Sequence, residues 1–552
     1  MKQVKELKGM LEITGKRVQR HGEQAGKAES RTIAFIGGRV LTMDPENDRA
    51  EVVVVKDGII AGVGDKVLLS SYPDAEVIDL EGQVLLPGFI DSHIHLSFGC
   101  FMPRWADLKG LTSKGEVLDT MERHARSSDD GWVVGFPWSE ARGAEAAITR
   151  EELDRLAPGR PVALIHGTFH MVLLNSVALE MSGLDRPGQG SKDDFRPANG
   201  RPNGIIQEQL EVPVLEMVLR TTKTEYADLI ERRARALLAH GITAVQDPGV
   251  TPVAEEAYRL LYEQGRLPVS VLMMPHGKAL LDNDISERLK GPVTGTGDEL
   301  LRVGPVKLFA DGGVQGSIAH RGVLNGRPFA SGTPRDDFSA PLTEAVKRGF
   351  CACIHSIGNV TTDAVLDAFE EVAKVAPEGF ELRPRVEHMF IMSDRQIERL
   401  AALGGVASVQ PYFLRQVGEA MKVCFDGFKW FPFGDLVRSG VIVCANSDDP
   451  GFGSFEQIDP VKGSLLGAAM GDSGSPYYCP EQALPFEQWL RMYTAGAAFA
   501  GGLEDERGML KEGLVADLVV LSSIEPADGP EVNETWKAGR RVYRREQAAQ
   551  GS

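Results

Sequence analysis

Two histidines at alternate positions, His93 and His95, stand at the end of an apolar run in the segment LLPGFIDSHIHLS. Alternate side chains of a β-strand point to the same face, so both imidazoles are expected together at the carboxyl end of a strand. Two neutral imidazoles on one face can chelate a divalent metal ion. The same spacing also occurs as two solvated histidines at a strand end, so this pair alone leaves both interpretations open.

Four later strand-like runs carry side chains that a metal site would still need. PVKLFADG contains Lys307, CACIHSIGN contains His355, RPRVEHM contains His388 and VIVCANSDDP contains Asp448. In a (β/α)₈ barrel, the carboxyl ends of the parallel strands meet at one face, where the active-site groups lie. The occurrence of these residue types at successive strand ends favours a metal site over unrelated solvated side chains.

The elements that must position these residues alternate along the chain. Apolar runs such as ITAVQD and VASVQP are followed by amphipathic stretches such as TTDAVLDAFEEVAKV, in which apolar residues recur at helical spacing. This alternation predicts an α/β fold, a distorted (β/α)₈ TIM barrel, over residues 88–500. Residues from about 98 to 220 are richer in loops than one strand–helix unit requires. We expect them to cover the barrel mouth and shape the substrate pocket.

The two ends of the chain have a different pattern. Residues 32–87 contain short β-runs that break at Gly-Gly, Asp-Gly and Glu-Gly turns, and residues 501–545 have the same character. Because each piece alone would leave an open apolar face, we predict that they are two halves of one small β-sandwich domain. Residues 1–31 are predicted to be a flexible N-terminal arm.

The composition argues against several classes of partner. The 552 residues have a formal net charge of −18, with 60 Lys and Arg against 78 Asp and Glu, which is unfavourable for binding nucleic acid or an anionic membrane. The first 30 residues contain no apolar signal region, and no uninterrupted apolar segment reaches about 18 residues. We therefore expect no membrane association and a cytoplasmic location, with the six cysteines as reduced thiols.

Several motifs together resemble those of the amidohydrolase superfamily. They are PGFIDSHIHL, VKLFADG, IHSIGN, RVEHM, NSDDP and GMLKEGLVADLVVL, and the similarity runs from about residue 32 to 545. GWVVGFPW, NGIIQE and HGITAVQD resemble segments of the branch that contains N-substituted formamide deformylases. The resemblance implies a metal-dependent hydrolase and is much less specific for the substrate.

Six metal ligands are implied by this resemblance: His93, His95, Lys307, His355, His388 and Asp448. His93 and His95 would hold a buried ion, and His355 and His388 would hold a more exposed one. Lys307 matches a position where many relatives carry an N6-carboxylated lysine that bridges two metal ions. An ammonium group facing two dications would have a lowered pKa, and the neutral amine could take up carbon dioxide. The alternative is an unmodified lysine paired with Asp311.

This sequence departs from the branch pattern at three positions. Asn359 stands where relatives often have Asp, and Asn446 stands where many have Gly. Asp449 directly follows Asp448 and could compete with it as the acid. The alignment of NSDDP favours Asp448 as the aspartate that faces the metal.

Five further residues are weaker candidates. The resemblance places His170 near the pocket as a second catalytic residue that polarises a substrate carbonyl, and it suggests Glu208 as a metal ligand or an orienting group. His166, Trp138 and His320 are candidate substrate contacts. Each has a structural alternative: a hydrogen-bonded histidine, a surface carboxylate or a packed aromatic ring.

The expected activity is hydrolysis of an amide-type C–N bond, other than a peptide bond, in a small molecule such as an N-acyl, N-formyl or cyclic amide. One or two divalent ions, with zinc the first choice, would activate water, and Asp448 would act first as base and then as acid. Deamination of an aminated heterocycle and hydrolysis of an ester or lactone are alternatives on the same site. A catalytically silent metal-binding sensor or assembly protein is the alternative of another class. The family's habit predicts a homo-oligomer, a dimer or larger.

Overall fold

The structure is a computed structural model that describes residues 31–128, 131–138, 148–185, 195–198, 201–313, 322–324, 327–329, 334–418, 427–451 and 455–546. Within these residues lie eight parallel strands. They are Phe89–Asp91 (β1), Ile242–Val250 (β2), Ser270–Pro275 (β3), Val306–Phe309 (β4), Ala352–Ser356 (β5), Arg385–His388 (β6), Val406–Val409 (β7) and Ile442–Ala445 (β8). Their nearly continuous burial is typical of parallel strands that are covered on both faces. Five of the strands, β1, β4, β5, β6 and β8, carry or precede the predicted metal ligands.

The eight strands are arranged in two parallel sheets. One has the order β1-β2-β3 followed by the short strand Leu301–Val303, and the other has the order β4-β5-β6-β7-β8. Leu301–Val303 and β4 are consecutive, and the chain changes from one sheet to the other at Gly304 and Pro305. Pro305 has no backbone N–H to donate to a neighbouring strand, so this break between the two sheets has a local cause. The arrangement is TIM-barrel-like, with ladders that do not close into one cylinder.

Helices follow most of the parallel strands. Lys223–Leu237, which leads into β2, begins at Thr222, whose hydroxyl accepts the N–H of Glu225. Its buried residues recur at three- and four-residue spacing from Tyr226 to Leu237, so one face packs on the sheet. None of the described helices is both long and apolar enough to cross a membrane. The α-helices are Leu96–Gly99, Lys114–Ser127, Arg150–Leu156, Ser176–Met181, Val212–Val218, Lys223–Leu237, Pro252–Glu263, Ser339–Lys347, Asn359–Ala373, Asp394–Ala402, Phe413–Val417, Phe433–Arg438, Pro460–Ala468, Phe486–Arg491 and Ala497–Ala500.

The stretch between β1 and β2 contains a sheet, which differs from the loop-rich expectation. Six strands form it, in the spatial order Phe195–Ala198, Arg201–Gln207, Met171–Leu174, Val162–His166, Val133–Trp138 and Ala106–Asp107. Its strands are short, and prolines and glycines interrupt them, which weakens the period-two pattern in the sequence. We call this unit the mouth sheet. Two small antiparallel pairs complete the strands: Gly322–Leu324 with Arg327–Phe329, and Ile391–Met392 with Lys429–Trp430.

Both chain ends contribute to one pair of sheets. A four-stranded sheet consists of Thr32–Ile36, Val52–Lys56, Ile59–Gly64 and Glu76–Asp79. A six-stranded sheet joins N-terminal and C-terminal strands: Arg39–Leu41, Arg49–Ala50, Val84–Pro87, Leu518–Leu521, Val532–Lys537 and Arg540–Arg544. Phe35 of the first sheet meets Trp536 of the second edge to face, with ring centroids 5.1 Å apart. That these sheets form a separate domain stays a prediction.

A buried ionic cluster joins the C-terminal strands to the barrel. Asp517 accepts hydrogen bonds from Arg507 at 2.7 Å and from Lys537 at 2.8 Å, and its backbone carbonyl accepts the N–H of Gly88. Lys537 also donates to the hydroxyl of Ser270 in β3. Burial lowers the pKa of Lys537 to about 8, so the ammonium depends on its carboxylate partner.

Replacing Asp517 with Asn is therefore expected to lower the free energy of unfolding by about 3–5 kcal/mol, because two buried cations lose their shared counter-charge. Urea denaturation followed by tryptophan fluorescence measures this change. The exposed Glu512 in the same segment provides the control, since Glu512→Gln should change stability by less than about 0.5 kcal/mol. Equal stability of the two variants would contradict a structural role for this cluster.

Candidate metal centre

His93 and His95 lie just beyond the end of β1. The strand ends at Asp91, and the N–H of Ile94 still bonds to the carbonyl of Gln246 in β2. Side-chain alternation therefore persists past the regular strand. The Nδ1 atom of His95 donates to the carbonyl of Pro248 at 2.8 Å, which leaves Nε2 with a free lone pair.

Asp448 meets both histidines. Its Oδ1 atom lies 3.3 Å from His93 Nε2 and 3.3 Å from His95 Nε2, and the ligand atoms of the three residues lie within 4.8 Å of one another. The N–H of Asp448 donates to the carbonyl of His93 at 2.8 Å, so the segment after β8 is bonded to the segment after β1. Asp448 has a φ of +51°, a strained conformation for a non-glycine residue that this bonding maintains.

Asp449 faces a different partner. Its carboxylate is paired with the buried Arg233, and its backbone carbonyl accepts the N–H of His95 at 2.9 Å. The structure thus separates the two adjacent aspartates, with Asp448 among the histidines and Asp449 bound to a cation of the helix Lys223–Leu237.

Lys307 is fully buried beside the histidines. Its Nζ atom lies 3.4 Å from His93 Nε2 and 4.8 Å from the ring centre of Phe309. No ion pair joins it to Asp311 in the described part of the chain. Asp311 instead accepts the N–H groups of Ile357 and Gly358. The alternative of a lysine paired with Asp311 therefore gains no support from the geometry.

His355 and His388 complete the group of predicted ligands. Their ring centroids are 4.4 Å apart, and that of His388 is 5.2 Å from His93. His388 Nδ1 lies 4.0 Å from Asp448 Oδ2 and donates to Gln410 Oε1 at 3.1 Å. His355 Nε2 donates to the carbonyl of Gly312, which leaves Nδ1 as its free nitrogen.

A buried carboxylate behind His93 was missed by the sequence reasoning. Glu387 Oε2 accepts the Nδ1–H of His93 at 2.7 Å, and its other oxygen accepts Nε of Arg385 at 2.6 Å. Arg385 also binds Gln246 and the carbonyl of Ser92. In a regular strand, alternation would place Glu387 on the face opposite His388; the φ of +78° at His388 breaks this alternation, and no local pattern predicts it. The bond leaves Nε2 of His93 free to bind metal.

The burial of the site sets the charge of its side chains. It lowers the pKa of His93 to about 3, aided by the charge of Lys307, and the pKa of His388 to about 4. Burial also lowers the pKa of Lys307 and holds that of His355 well below its usual value. The imidazoles are therefore neutral near pH 7, the form that binds metal.

Asp448 behaves in the opposite way. Although burial favours its neutral acid, its hydrogen bond with His95 and the neighbouring imidazoles of His388 and His93 lower the pKa below the ordinary value. The site thus combines neutral imidazoles with an ionised carboxylate.

The pocket above these residues is mainly apolar. It encloses ≈ 560 Å³, with its open mouth included, and carries His95, Lys307, His355, His388 and Asp448 in its wall. Other wall residues are Thr168, Phe169, His170, Leu280, Leu281, Phe309, Gly313, Ile357, Phe390, Phe413 and Gly451. Several of these belong to loops after different parallel strands, whereas Thr168, Phe169 and His170 come from the mouth sheet.

The weaker candidates separate into three groups. His170 lines the pocket and is hydrogen-bonded to Glu208, which is therefore no surface carboxylate. His166 bonds to Thr168, and Trp138 packs inside the mouth sheet, so neither belongs to the described pocket wall. His320 lies outside the described residues.

Comparison with known proteins is consistent with this geometry. The model of the amidohydrolase family matches residues 76–543. This chain belongs to the amidohydrolase superfamily.

Its branch follows from two curated relatives. The amidohydrolase is 30% identical over 531 residues to the N-substituted formamide deformylase of Arthrobacter pascens, covering 91% of this chain and 95% of the relative. It is 28% identical over 541 residues to the putative amidohydrolase YtcJ of Bacillus subtilis (strain 168), covering 92% and 98%. It therefore lies in the deformylase-like branch.

Solved structures support the fold. An uncharacterized metal-dependent hydrolase from Pyrococcus horikoshii superposes with a TM-score of 0.72 at 23% identity, covering 92% of this chain and 99% of the other. One from Pyrococcus furiosus gives a TM-score of 0.68 at 24% identity, covering 90% and 99%. The amidohydrolase thus has a TIM-barrel-like α/β fold.

The donor set of the amidohydrolase fits a divalent cation. Two imidazoles have Nδ1 occupied by buried acceptors, so their Nε2 lone pairs face the same carboxylate. Neutral imidazoles with an ionised carboxylate are the donors that zinc and similar ions bind. The buried Lys307 and two further histidines lie within reach of the same centre.

Glu387→Gln is expected to weaken zinc binding by about 10–100-fold, because the amide orients His93 less firmly and makes it less basic. Equilibrium dialysis with elemental analysis measures the affinity. Glu381→Gln, in the exposed segment before β6, is the matched control and should bind zinc as the unaltered protein does. A Glu387→Gln protein with unchanged affinity would show that the carboxylate has no role in orienting His93.

Proposed function

We propose that this amidohydrolase hydrolyses an amide-type C–N bond, other than a peptide bond, in a small neutral molecule, with an N-acyl, N-formyl or cyclic amide as the substrate class. The observation that supports this most directly is the convergence of His93, His95 and Asp448 beneath an apolar pocket. The name of the relative from Arthrobacter pascens, an N-substituted formamide deformylase, points to the same bond type.

The metal would be held by the six side chains at the strand ends: His93, His95, Lys307, His355, His388 and Asp448. Bound there, a divalent ion supplies Lewis acidity to the substrate carbonyl and lowers the pKa of water. We propose zinc as the ion, because it accepts imidazole and carboxylate donors. We also propose that Lys307 carries an N6-carboxylate. Its burial beside His93 leaves the side chain without a compensating anion at hydrogen-bond distance among the described residues.

Asp448 is proposed to move the proton. Its carboxylate would take the proton from the attacking water and hold it at a carboxylate oxygen. It would then release it to the leaving nitrogen as the C–N bond breaks. One group can serve as base and then as acid because its position beside both histidines keeps it next to the reacting atoms.

The rest of the pocket would bind and orient the substrate. Phe309, Phe390 and Phe413 offer aromatic surface to an apolar substituent, and they exclude water from the polar floor. His170 is proposed to meet the carbonyl oxygen and to stabilise negative charge that develops there. A cytoplasmic location and a homo-oligomer remain proposals from the sequence.

Removal of the metal is expected to abolish hydrolysis. Protein dialysed against a chelator should lose at least about 100-fold in kcat/KM, and zinc or manganese should restore it, because imidazole and carboxylate donors accept both. Full activity in the metal-free protein would refute the metal centre.

A panel of N-substituted formamides, N-acyl amino acids, small peptides, lactones and aminated heterocycles identifies the bond that is cleaved. The proposal requires turnover of amides. Turnover of lactones alone or of aminated rings alone would contradict it.

The two adjacent aspartates provide a matched pair of variants. Asp448→Asn is expected to lower kcat by about 10²–10⁴-fold while much of the metal stays bound to the imidazoles. Asp449→Asn should retain activity within about tenfold, because Asp449 binds Arg233 and does not face the histidines. Steady-state kinetics with metal analysis separates the two. Near-normal kcat in Asp448→Asn would remove this residue from proton transfer.

A further inference from the structure

The mouth sheet delivers one ionisable pair to the pocket. His170 precedes the strand Met171–Leu174, and Glu208 follows the strand Arg201–Gln207. Met171 and Gln207 are antiparallel partners, so His170, one residue before Met171, lies opposite Glu208, one residue after Gln207. His170 Nδ1 donates to Glu208 Oε2 at 2.9 Å. The strand pairing within the mouth sheet is therefore sufficient to bring His170 and Glu208 together, without any contact with the barrel.

The barrel is shaped to receive this pair. Gly312 follows β4, and a Cβ atom built on it would lie 2.0 Å from Glu208 Oε1. Only glycine allows the carboxylate to lie so close. Glu208 itself has a φ of +54°, which is costly for a residue with a side chain. The absence of a side chain at Gly312 and the positive φ of Glu208 are thus both needed where the Glu208 carboxylate packs against the loop after β4.

Both oxygens of Glu208 are engaged away from the metal ligands. Oε2 accepts the imidazole N–H, and Oε1 lies against Gly312. The neighbouring Gly313 donates its N–H to the carboxylate. Among the described residues, Nε2 of His170 has no hydrogen-bond partner, and the ring lines the pocket 5.3 Å from the centroid of His355.

We infer that Glu208 is a positioning residue that fixes the ring of His170, so that only Nε2 of this histidine can meet the substrate, and that Glu208 binds no metal. The inference rests on the proposed function for its catalytic consequence. It assigns to the mouth sheet a direct part in the reaction, because both members of the pair come from that sheet.

Kinetics of the zinc-loaded protein test this role on the amide that the panel identifies. Glu208→Ala is expected to lower kcat by about 10–100-fold with KM changed less than about threefold, since the apolar wall that binds the substrate is intact. Glu208→Gln keeps an oxygen that can accept the Nδ1–H and should recover most of the lost kcat. Zinc content should remain that of the unaltered protein in both variants.

Glu211→Gln is the matched control. Glu211 is fully buried three residues away and accepts the N–H of Glu208 at 3.1 Å, and burial raises its pKa well above the ordinary value. Since the neutral acid and the amide are nearly isosteric, this variant should keep the kinetics of the unaltered protein. A loss equal to that of Glu208→Ala would indicate a general packing effect and overturn the inference.

A double-mutant cycle shows whether Glu208 acts through His170. His170→Ala and the double variant His170→Ala with Glu208→Ala should have equal kcat, because the carboxylate has nothing left to position. Losses that multiply would overturn the inference, as would loss of zinc in Glu208→Ala.

Crystal structures provide a test that needs no substrate. In Glu208→Ala the ring of His170 should turn away from its position in the unaltered protein, and in Glu211→Gln it should stay. An unmoved ring would refute positioning. Failure of the unaltered protein to cleave any amide would refute the proposed function alone, and the ring orientation would still decide the role of Glu208.

Discussion

The whole centre depends on burying polar groups of opposite character together inside the barrel. Desolvation makes the imidazoles of His93 and His388 neutral, and the same burial would neutralise Asp448 if the histidines did not surround it. Buried charges are tolerated only when they are paired and hydrogen-bonded. The barrel satisfies this condition in layers: Arg385 compensates Glu387, Glu387 holds His93, and His93 faces Asp448.

Backbone hydrogen bonds convert this charge balance into a fixed geometry. The ladders leave the two parallel sheets unjoined between β8 and β1, yet Asp448 bonds to the carbonyl of His93, and His95 bonds to that of Asp449. These bonds lie at the metal centre itself. The positive φ angles of His388 and Asp448 occur at the same strand ends, so backbone strain is concentrated where side chains must converge. The surrounding strands are regular and buried, and their packing supplies the stabilisation that offsets this strain.

Much of this could be predicted from the sequence, for identifiable reasons. The α/β fold class was predictable because period-two alternation and helical spacing are local properties of the sequence. The six ligands were implied by the family resemblance, and their roles stay predictions, although the structure brings their side chains together. Glu387 was missed because its role depends on a contact with a residue 294 positions away. The mouth sheet was missed because short strands broken by proline and glycine resemble loops. The pairing of Asp449 with Arg233 was equally inaccessible, since nothing in NSDDP identifies a cation on a distant helix.

The division between the barrel and the mouth sheet suggests how this fold separates chemistry from specificity. The proposed metal ligands are side chains at or near the ends of parallel strands, whose positions the barrel fixes whatever the substrate. Phe169 and His170 reach the same pocket from a separate sheet inserted between β1 and β2. Changes in that insertion can therefore alter the pocket wall without moving a ligand. The junction at Gly312 limits this freedom, because the carboxylate of Glu208 occupies the space that a side chain there would need. The loop after β4 thus couples the two units at one point, and the insertion is constrained where it approaches the metal centre.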